Sequence, residues 1–157
     1  MVSSLREAMK IAITAADEAS AQGDVPVGAV VVDESGTILA VSSNRRERDQ
    51  NPIAHAEMLC LQRAAKKRRS WRLDGCTIIS TLEPCLMCTA AIVETNLSRL
   101  VFGAFNVKDG AFSSSKLLYR QLFSQQRLEI IGGFSRTPCT QQLLLFFQNL
   151  RQDKKKP

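Results

Sequence analysis

His55 is the only histidine among the 157 residues, and it stands two positions before a carboxylate in His55-Ala56-Glu57. Further on, Pro84-Cys85-Leu86-Met87-Cys88 sets two thiols in C-x-x-C spacing. Imidazole nitrogen and thiolate sulfur are the ligands that borderline-soft zinc prefers. Cysteines at i and i+3 in the opening turn of a helix send both sulfurs to one side. The unpaired N–H groups and positive dipole end of such a turn favour thiolate over thiol. His55 could supply a third ligand, leaving a fourth position open for water, which is the arrangement of a catalytic rather than a structural zinc site. Each piece alone has a plainer reading. A lone C-x-x-C in a cytosolic α/β chain serves redox chemistry as readily as zinc. A lone histidine is usually a core or surface residue, and Glu57 could be a solvated helix charge.

These residues need elements to position them. Leu5, Ala8, Met9, Ala12, Ala16 and Ala19 fall at helical spacing, predicting a helix over 5–21. Val27 to Asp33 is a β-branched run typical of a strand buried on both faces, and Glu34-Ser35-Gly36 turns it into a second strand over Thr37 to Ser42. A helix is expected over 54–69, after Pro52, so His55 lies near its start. Cys76 to Thr81 reads as a strand, with Pro84 in the first turn of a helix that ends near Glu94. Arg99 to Ala104 reads as a strand and Arg127 to Ile131 as a weaker one. Gly132-Gly133 breaks the chain before a last helix over 138–151, with Leu143, Leu144, Phe147 and Leu150 on one face. Strands alternating with helices imply an α/β layered sheet.

Size and composition set the bounds. The length suits one domain, expected over 1–151, with 152–157 as a basic tail. A chain of this size buries roughly 68–70% of its unfolded surface and needs no metal or disulfide merely to hold a core. Hydrophobic residues at 45% and charged residues at 23% argue against disorder. No signal peptide or membrane span is expected: Arg6, Glu7 and Lys10 interrupt the amino terminus, and apolar runs such as Leu143 to Phe147 fall far short of ~20 residues. The odd count of five cysteines without framework spacing reads as reduced thiols in the cytoplasm. Cys60, Cys76 and Cys139 are expected to be small buried fillers. The net charge of +6 hints at an anionic partner.

Taken together, H-x-E followed by P-C-x-x-C is the pattern of zinc nucleobase deaminases. Narrower segments surround it: Asp24-Val25-Pro26-Val27-Gly28-Ala29-Val30, Asn44-Arg45, Pro52-Ile53-Ala54-His55-Ala56-Glu57, Thr81-Leu82-Glu83-Pro84-Cys85, and Leu100-Val101-Phe102-Gly103-Ala104 followed by Lys108-x-Gly110. With these, the chain resembles the bacterial tRNA-specific adenosine deaminases, in order from about residue 5 to 151. The resemblance implies a cytidine-deaminase-like fold, a three-layer α/β/α arrangement around a five-stranded mixed sheet. It implies a homodimer with one zinc per subunit, acting on a tRNA anticodon stem-loop and converting the wobble adenosine to inosine.

Site roles follow from the same resemblance. His55, Cys85 and Cys88 would be the zinc ligands, and Glu57 the base and acid that moves protons between water, ring N1 and the leaving amine. Asn44 would hydrogen-bond the flipped base, Ala56 would offer a backbone group, and Val25 would line the pocket. Lys108, Phe147 and Arg151 match positions near the bound RNA. Without the family match, Asn44 reads as a turn residue and Phe147 as partly core. Asn106 stands where the family usually carries Asp. Removing that carboxylate, an acceptor for a ribose 2′-OH, is expected to relax discrimination against DNA. The family's small residue near Ala90 is often Gly, and its Gly-rich loop is here Phe112-Ser113-Ser114-Ser115, which alters loop contacts but not the chemistry.

Other readings remain open at this level. The same zinc chemistry serves free cytosine, guanine or a nucleoside such as cytidine, although a basic surface is wasted on such substrates. A non-catalytic zinc module that binds RNA, and a dithiol redox protein built on Cys85 and Cys88, are further alternatives. Arg63, Lys66, Lys67, Arg68, Arg69 and Arg72 account for as much charge as the whole net balance. At about 1.5 Å per residue, Arg69 lies ~20 Å along the helix from His55. This cluster is either a grip on tRNA outside the anticodon loop or a solvated helix end.

Overall fold

A computed structural model of the chain describes residues 1–112 and 127–153. Four helices and five strands run α1 (Leu5–Ala21), β1 (Gly28–Val32), β2 (Ile38–Ser43), α2 (Ala56–Arg68), β3 (Thr77–Leu82), α3 (Leu86–Glu94), β4 (Arg99–Ala104), β5 (Glu129–Gly132) and α4 (Arg136–Asp153) among the described residues. The sheet order is β2-β1-β3-β4-β5. β1 pairs antiparallel with β2 and β3, while β3–β4 and β4–β5 are parallel. The sheet is therefore mixed, as expected.

Strand alternation divides the core into two layers. Ala29 and Val31 of β1 join Ala56, Cys60 and Ala64 of α2 and Ile92 of α3 on one face. Val30 and Val32 join Ala8, Met9 and Ala12 of α1 and Cys139 of α4 on the other. The β-branched run of β1 is buried throughout because helices cover both of its faces. On the α1 side the approach is close: a Cβ added at Gly28 would lie 1.9 Å from the Ala12 carbonyl oxygen. Alanines along α1 permit that contact. The turn after β1 closes on Asp33, whose Oδ1 accepts from the Ser35 and Thr37 N–H groups at 2.9 Å each, while Gly36 takes φ +80°.

Element ends differ modestly from the sequence reading. α2 begins at Ala56, with His55 as its N-cap, and ends on Arg69 in the left-handed region. Pro84 precedes α3 rather than opening it, because Cys85 takes the extended N-cap position. α4 runs through Asp153, so the first two residues expected in the tail are helical; residues 154–157 and Ser113–Ser115 lie outside the described residues. The apolar face expected on α4 is mostly uncovered: Leu144, Phe147 and Leu150 are exposed, and Cys139 is the buried residue of this helix. Its early turns rest on β4, where Gly103 leaves room for the Cys139 sulfur. Cys60, Cys76 and Cys139 are buried, as expected of fillers.

Much of the basic cluster is spent on the fold. Arg63 Nη1 donates to the Val41 carbonyl at 2.9 Å and Lys67 Nζ to the Ile38 carbonyl at 2.7 Å, both on β2. Arg68 donates to the Asp74 carbonyl, and Arg72 pairs with the Asp74 carboxylate at 2.8 Å.

Candidate active site

The loops at one end of the central strands meet over a cavity of about 600 Å³, within the usual range for a small-ligand site. Two helix starts form its floor. His55 caps α2 and Cys85 caps α3, each with extended backbone, and Cys88 lies in the first turn of α3. The His55 Nδ1 sits 3.7 Å from the Cys85 sulfur and 3.5 Å from the Cys88 sulfur. All three ligand atoms lie within 4.8 Å of one another. Tetrahedral zinc at ordinary bond lengths needs nitrogen and sulfur about 3.6 Å apart. The donor set therefore fits zinc in both kind and spacing.

The protons in this cluster are unequally held. Cys85 is pushed down to about 4, chiefly by a hydrogen bond from Cys88 and then by His55, against a burial effect in the other direction. Cys88 is pushed strongly up, first by giving its proton to that bond and then by burial. His55 is raised, mainly by its hydrogen bond with Cys85. Without metal the cluster thus keeps one bare thiolate, one thiol and a histidine that gains its proton more readily than usual.

Glu57 lies in the first turn of α2, only 4% exposed, on the side of the cysteines. Burial is the main cause that lifts its carboxyl above the ordinary carboxylate range. The Ser80 hydroxyl of β3 donates to its Oε1 at 3.4 Å, and the Cys88 sulfur stands 3.7 Å from its Oε2. This is a carboxyl that keeps its proton more readily than an exposed one, beside a site able to hold a metal.

The walls carry most of the other expected residues. Asn44 is buried where the chain leaves β2; its N–H donates to the Val27 carbonyl at 2.8 Å and its side-chain amide to the Val25 carbonyl at 3.1 Å. Val25 and Ala56 line the cavity beside it. Asn106 and Lys108 enter from the loop after β4, and Phe147 from α4. Phe147 is 41% exposed, so it belongs to the rim rather than the core. Arg151 is not among the lining residues; it sits one turn beyond, its Nε donating to the Phe147 carbonyl at 3.2 Å. Arg46, Glu47, Glu83, Phe105 and Leu143 also line the cavity and were assigned no role by sequence reasoning. Glu83 stood inside the T-L-E-P-C segment, and Arg46 directly follows Asn44-Arg45; those were the available signals.

Comparison with known proteins agrees with this geometry. Residues 2–104 match the family described as the cytidine and deoxycytidylate deaminase zinc-binding region. The chain is 43% identical over 148 residues to a tRNA-specific adenosine deaminase of Bacillus subtilis (strain 168), covering 94% of this chain and 91% of the relative. It is 40% identical over 147 residues to the Haemophilus influenzae protein of the same name, covering 94% and 85%. A solved structure from studies of A-to-I editing by tRNA:A34 deaminases at the wobble position of transfer RNA superposes with a TM-score of 0.83 at 32% identity, covering 88% of this chain and 99% of that one. The chain belongs to the zinc-binding cytidine and deoxycytidylate deaminase family.

Proposed function

We propose that this protein is a tRNA adenosine deaminase, hydrolysing the wobble adenosine of an anticodon to inosine with release of ammonia. The observation that carries the reading is the convergence of His55, Cys85 and Cys88 at zinc-like spacing with the buried Glu57 carboxyl against them. Similarity to the tRNA-specific deaminases over 94% of the chain favours tRNA over a free base or nucleoside. The positive balance of the chain suits a polyanionic substrate.

His55 Nδ1, Cys85 Sγ and Cys88 Sγ would hold one zinc per chain, with Glu57 beside them. Bound zinc supplies Lewis acidity, which makes water a competent nucleophile near neutral pH. Glu57 accepts the proton of the attacking water and passes it to ring N1 of adenine. As the water oxygen bonds to C6, the same carboxyl takes the second proton, from the new C6 hydroxyl, and gives it to the exocyclic nitrogen; the C6–N bond breaks, ammonia leaves and C6 is left as the carbonyl of inosine. Burial favours the protonated form of this carboxyl between the two transfers, and the Ser80 hydroxyl donates to it. Asn44 and a backbone group of Ala56 hold the flipped base, with Val25 as a wall. Asn106, Lys108 and Phe147 contact the flanking RNA at the rim, and Arg151 contacts it one turn further out. Assembly as a homodimer and a cytoplasmic location belong to the same reading.

The test is Glu57→Ala. Inosine formed in a transcript of an anticodon stem-loop is measured beside bound zinc. Activity should fall by about 10²–10⁴-fold with zinc retained. Undiminished turnover at full zinc would remove Glu57 from this role. A wild-type protein that releases ammonia from free bases but forms no inosine in the stem-loop would overturn the substrate.

A further inference from the structure

Glu83 is a buried charge that the proposed chemistry does not use. It follows β3, stands two residues before Cys85, and is 1% exposed. Its carboxylate accepts two backbone hydrogen bonds from one loop: Asn106 N–H to Oε2 at 2.9 Å and Phe112 N–H to Oε1 at 2.8 Å. These donors bracket the segment that carries Asn106 and Lys108 into the cavity. A carboxylate bonded to N–H groups through both oxygens is held more firmly than a neutral acceptor would be. That pairing offsets part of the cost of burying the carboxylate.

The same loop is fastened to the cysteine turn by backbone contacts. Ala111 N–H donates to the Pro84 carbonyl at 3.1 Å, and Gly110 forms a β-bridge with Cys85 itself. Gly110 rests directly on the carboxylate: an added Cβ would lie 2.4 Å from Glu83 Cδ and 2.4 Å from the Asn106 carbonyl oxygen. Glu83 thus stands at the junction between the turn bearing two metal-ligand candidates and the loop bearing two RNA-contact candidates.

We propose that Glu83 is a positioning residue for substrate: by gripping both ends of the 106–112 loop, it fixes the rim against the metal turn. This rests on the tRNA deaminase reading above. The chemistry calls for a carboxylate in particular. Two N–H donors need two acceptors, and an amide in the same place offers one acceptor while turning its NH₂ towards an N–H.

The test compares Glu83→Gln with wild type on the anticodon stem-loop, reading kcat, KM, bound zinc and Tm. Zinc should stay at the wild-type level, because Glu83 is not a ligand candidate. KM should rise about ten- to a hundredfold, more than kcat falls, as expected when groups that hold substrate are displaced by an ångström or so. Glu83→Asp keeps both acceptor oxygens on a shorter arm and should recover part of the loss. Gly110→Ala pushes on the same contact from the loop side and should raise KM likewise, which keeps the proposal testable if Glu83→Gln fails to fold. A KM within about twofold of wild type in folded, zinc-loaded variants, with only Tm lowered, would overturn the proposal. So would loss of zinc as the main effect. Absence of inosine from the wild-type reaction would instead overturn the substrate reading, and the same KM comparison on whichever base the wild type deaminates would still decide the role of Glu83.

Discussion

The Asn44 side-chain amide donates to the Val25 carbonyl at 3.1 Å, joining the residue after β2 to the segment before β1. One wall residue thereby orients another, and the amide cannot turn without breaking that bond. Asn44→Asp would put a carboxylate oxygen against the Val25 carbonyl, so the change is not conservative. We expect Asn44→Asp to lower kcat/KM on the stem-loop at least as much as Asn44→Ala, by about 10²-fold, with zinc retained. Steady-state kinetics showing Asp close to wild type would count against an oriented amide here.

Asn106 already caps its own loop, since its Oδ1 accepts from the Asp109 N–H at 3.0 Å. Asp in its place can make the same bond and adds a charge beside the incoming backbone. Asn106→Asp should therefore fold normally and sharpen the preference for an RNA stem-loop over its DNA counterpart, by about five- to tenfold in kcat/KM if the carboxylate accepts from a 2′-OH. An unchanged ratio between the two substrates would remove this position from sugar discrimination.

Zinc loading should release protons. Without metal, Cys88 and His55 both hold protons more tightly than usual, while Cys85 at about 4 is already thiolate at pH 7. Zinc needs both thiolates and a neutral imidazole, so binding at pH 7 should expel about one to two protons. The sign follows: affinity falls as pH falls, because raised groups recapture their protons first. Calorimetric titration in two buffers of different ionisation enthalpy measures the number directly, and a heat independent of buffer would contradict it.

Gly28→Ala should destabilise the protein without touching the metal site. The new methyl would meet the Ala12 carbonyl oxygen and, at 2.8 Å, the Ala16 nitrogen, both backbone atoms of α1. Overpacking against backbone costs about 1–3 kcal/mol. Urea unfolding should show an earlier midpoint at unchanged zinc content; an unaltered midpoint would mean that α1 shifts freely on the sheet.

The ligand candidates were legible because their pattern is local. His55 and Glu57 share one helix start, and Cys85 and Cys88 another, so two short spacings in combination pointed to zinc where each alone left redox or structural readings open. Glu83 stood in the T-L-E-P-C segment, but its contacts were hidden for the opposite reason. Its partners Asn106 and Phe112 reach it because β3 and β4 lie side by side, which no local window contains. Phe147 misled in part: helical spacing put it on an apolar face, but spacing does not reveal which residues of that face are covered, and Phe147 is 41% exposed. The cations of α2 read as an RNA grip or a solvated end, and neither reading foresaw that Arg63 and Lys67 reach back to β2.

That last contact bears on how copies of the chain can meet. Asn44 N–H donates to the Val27 carbonyl, so antiparallel alternation turns Ala40 and Ser42 towards β1 and leaves the Val41 carbonyl facing away from the sheet. Arg63 occupies that outward carbonyl, and Lys67 occupies the one at Ile38. An incoming strand would have to displace two cations and pair along a charged border. The β2 edge is thereby guarded against pairing with a strand of another copy, whereas β5 borders the sheet on its other side.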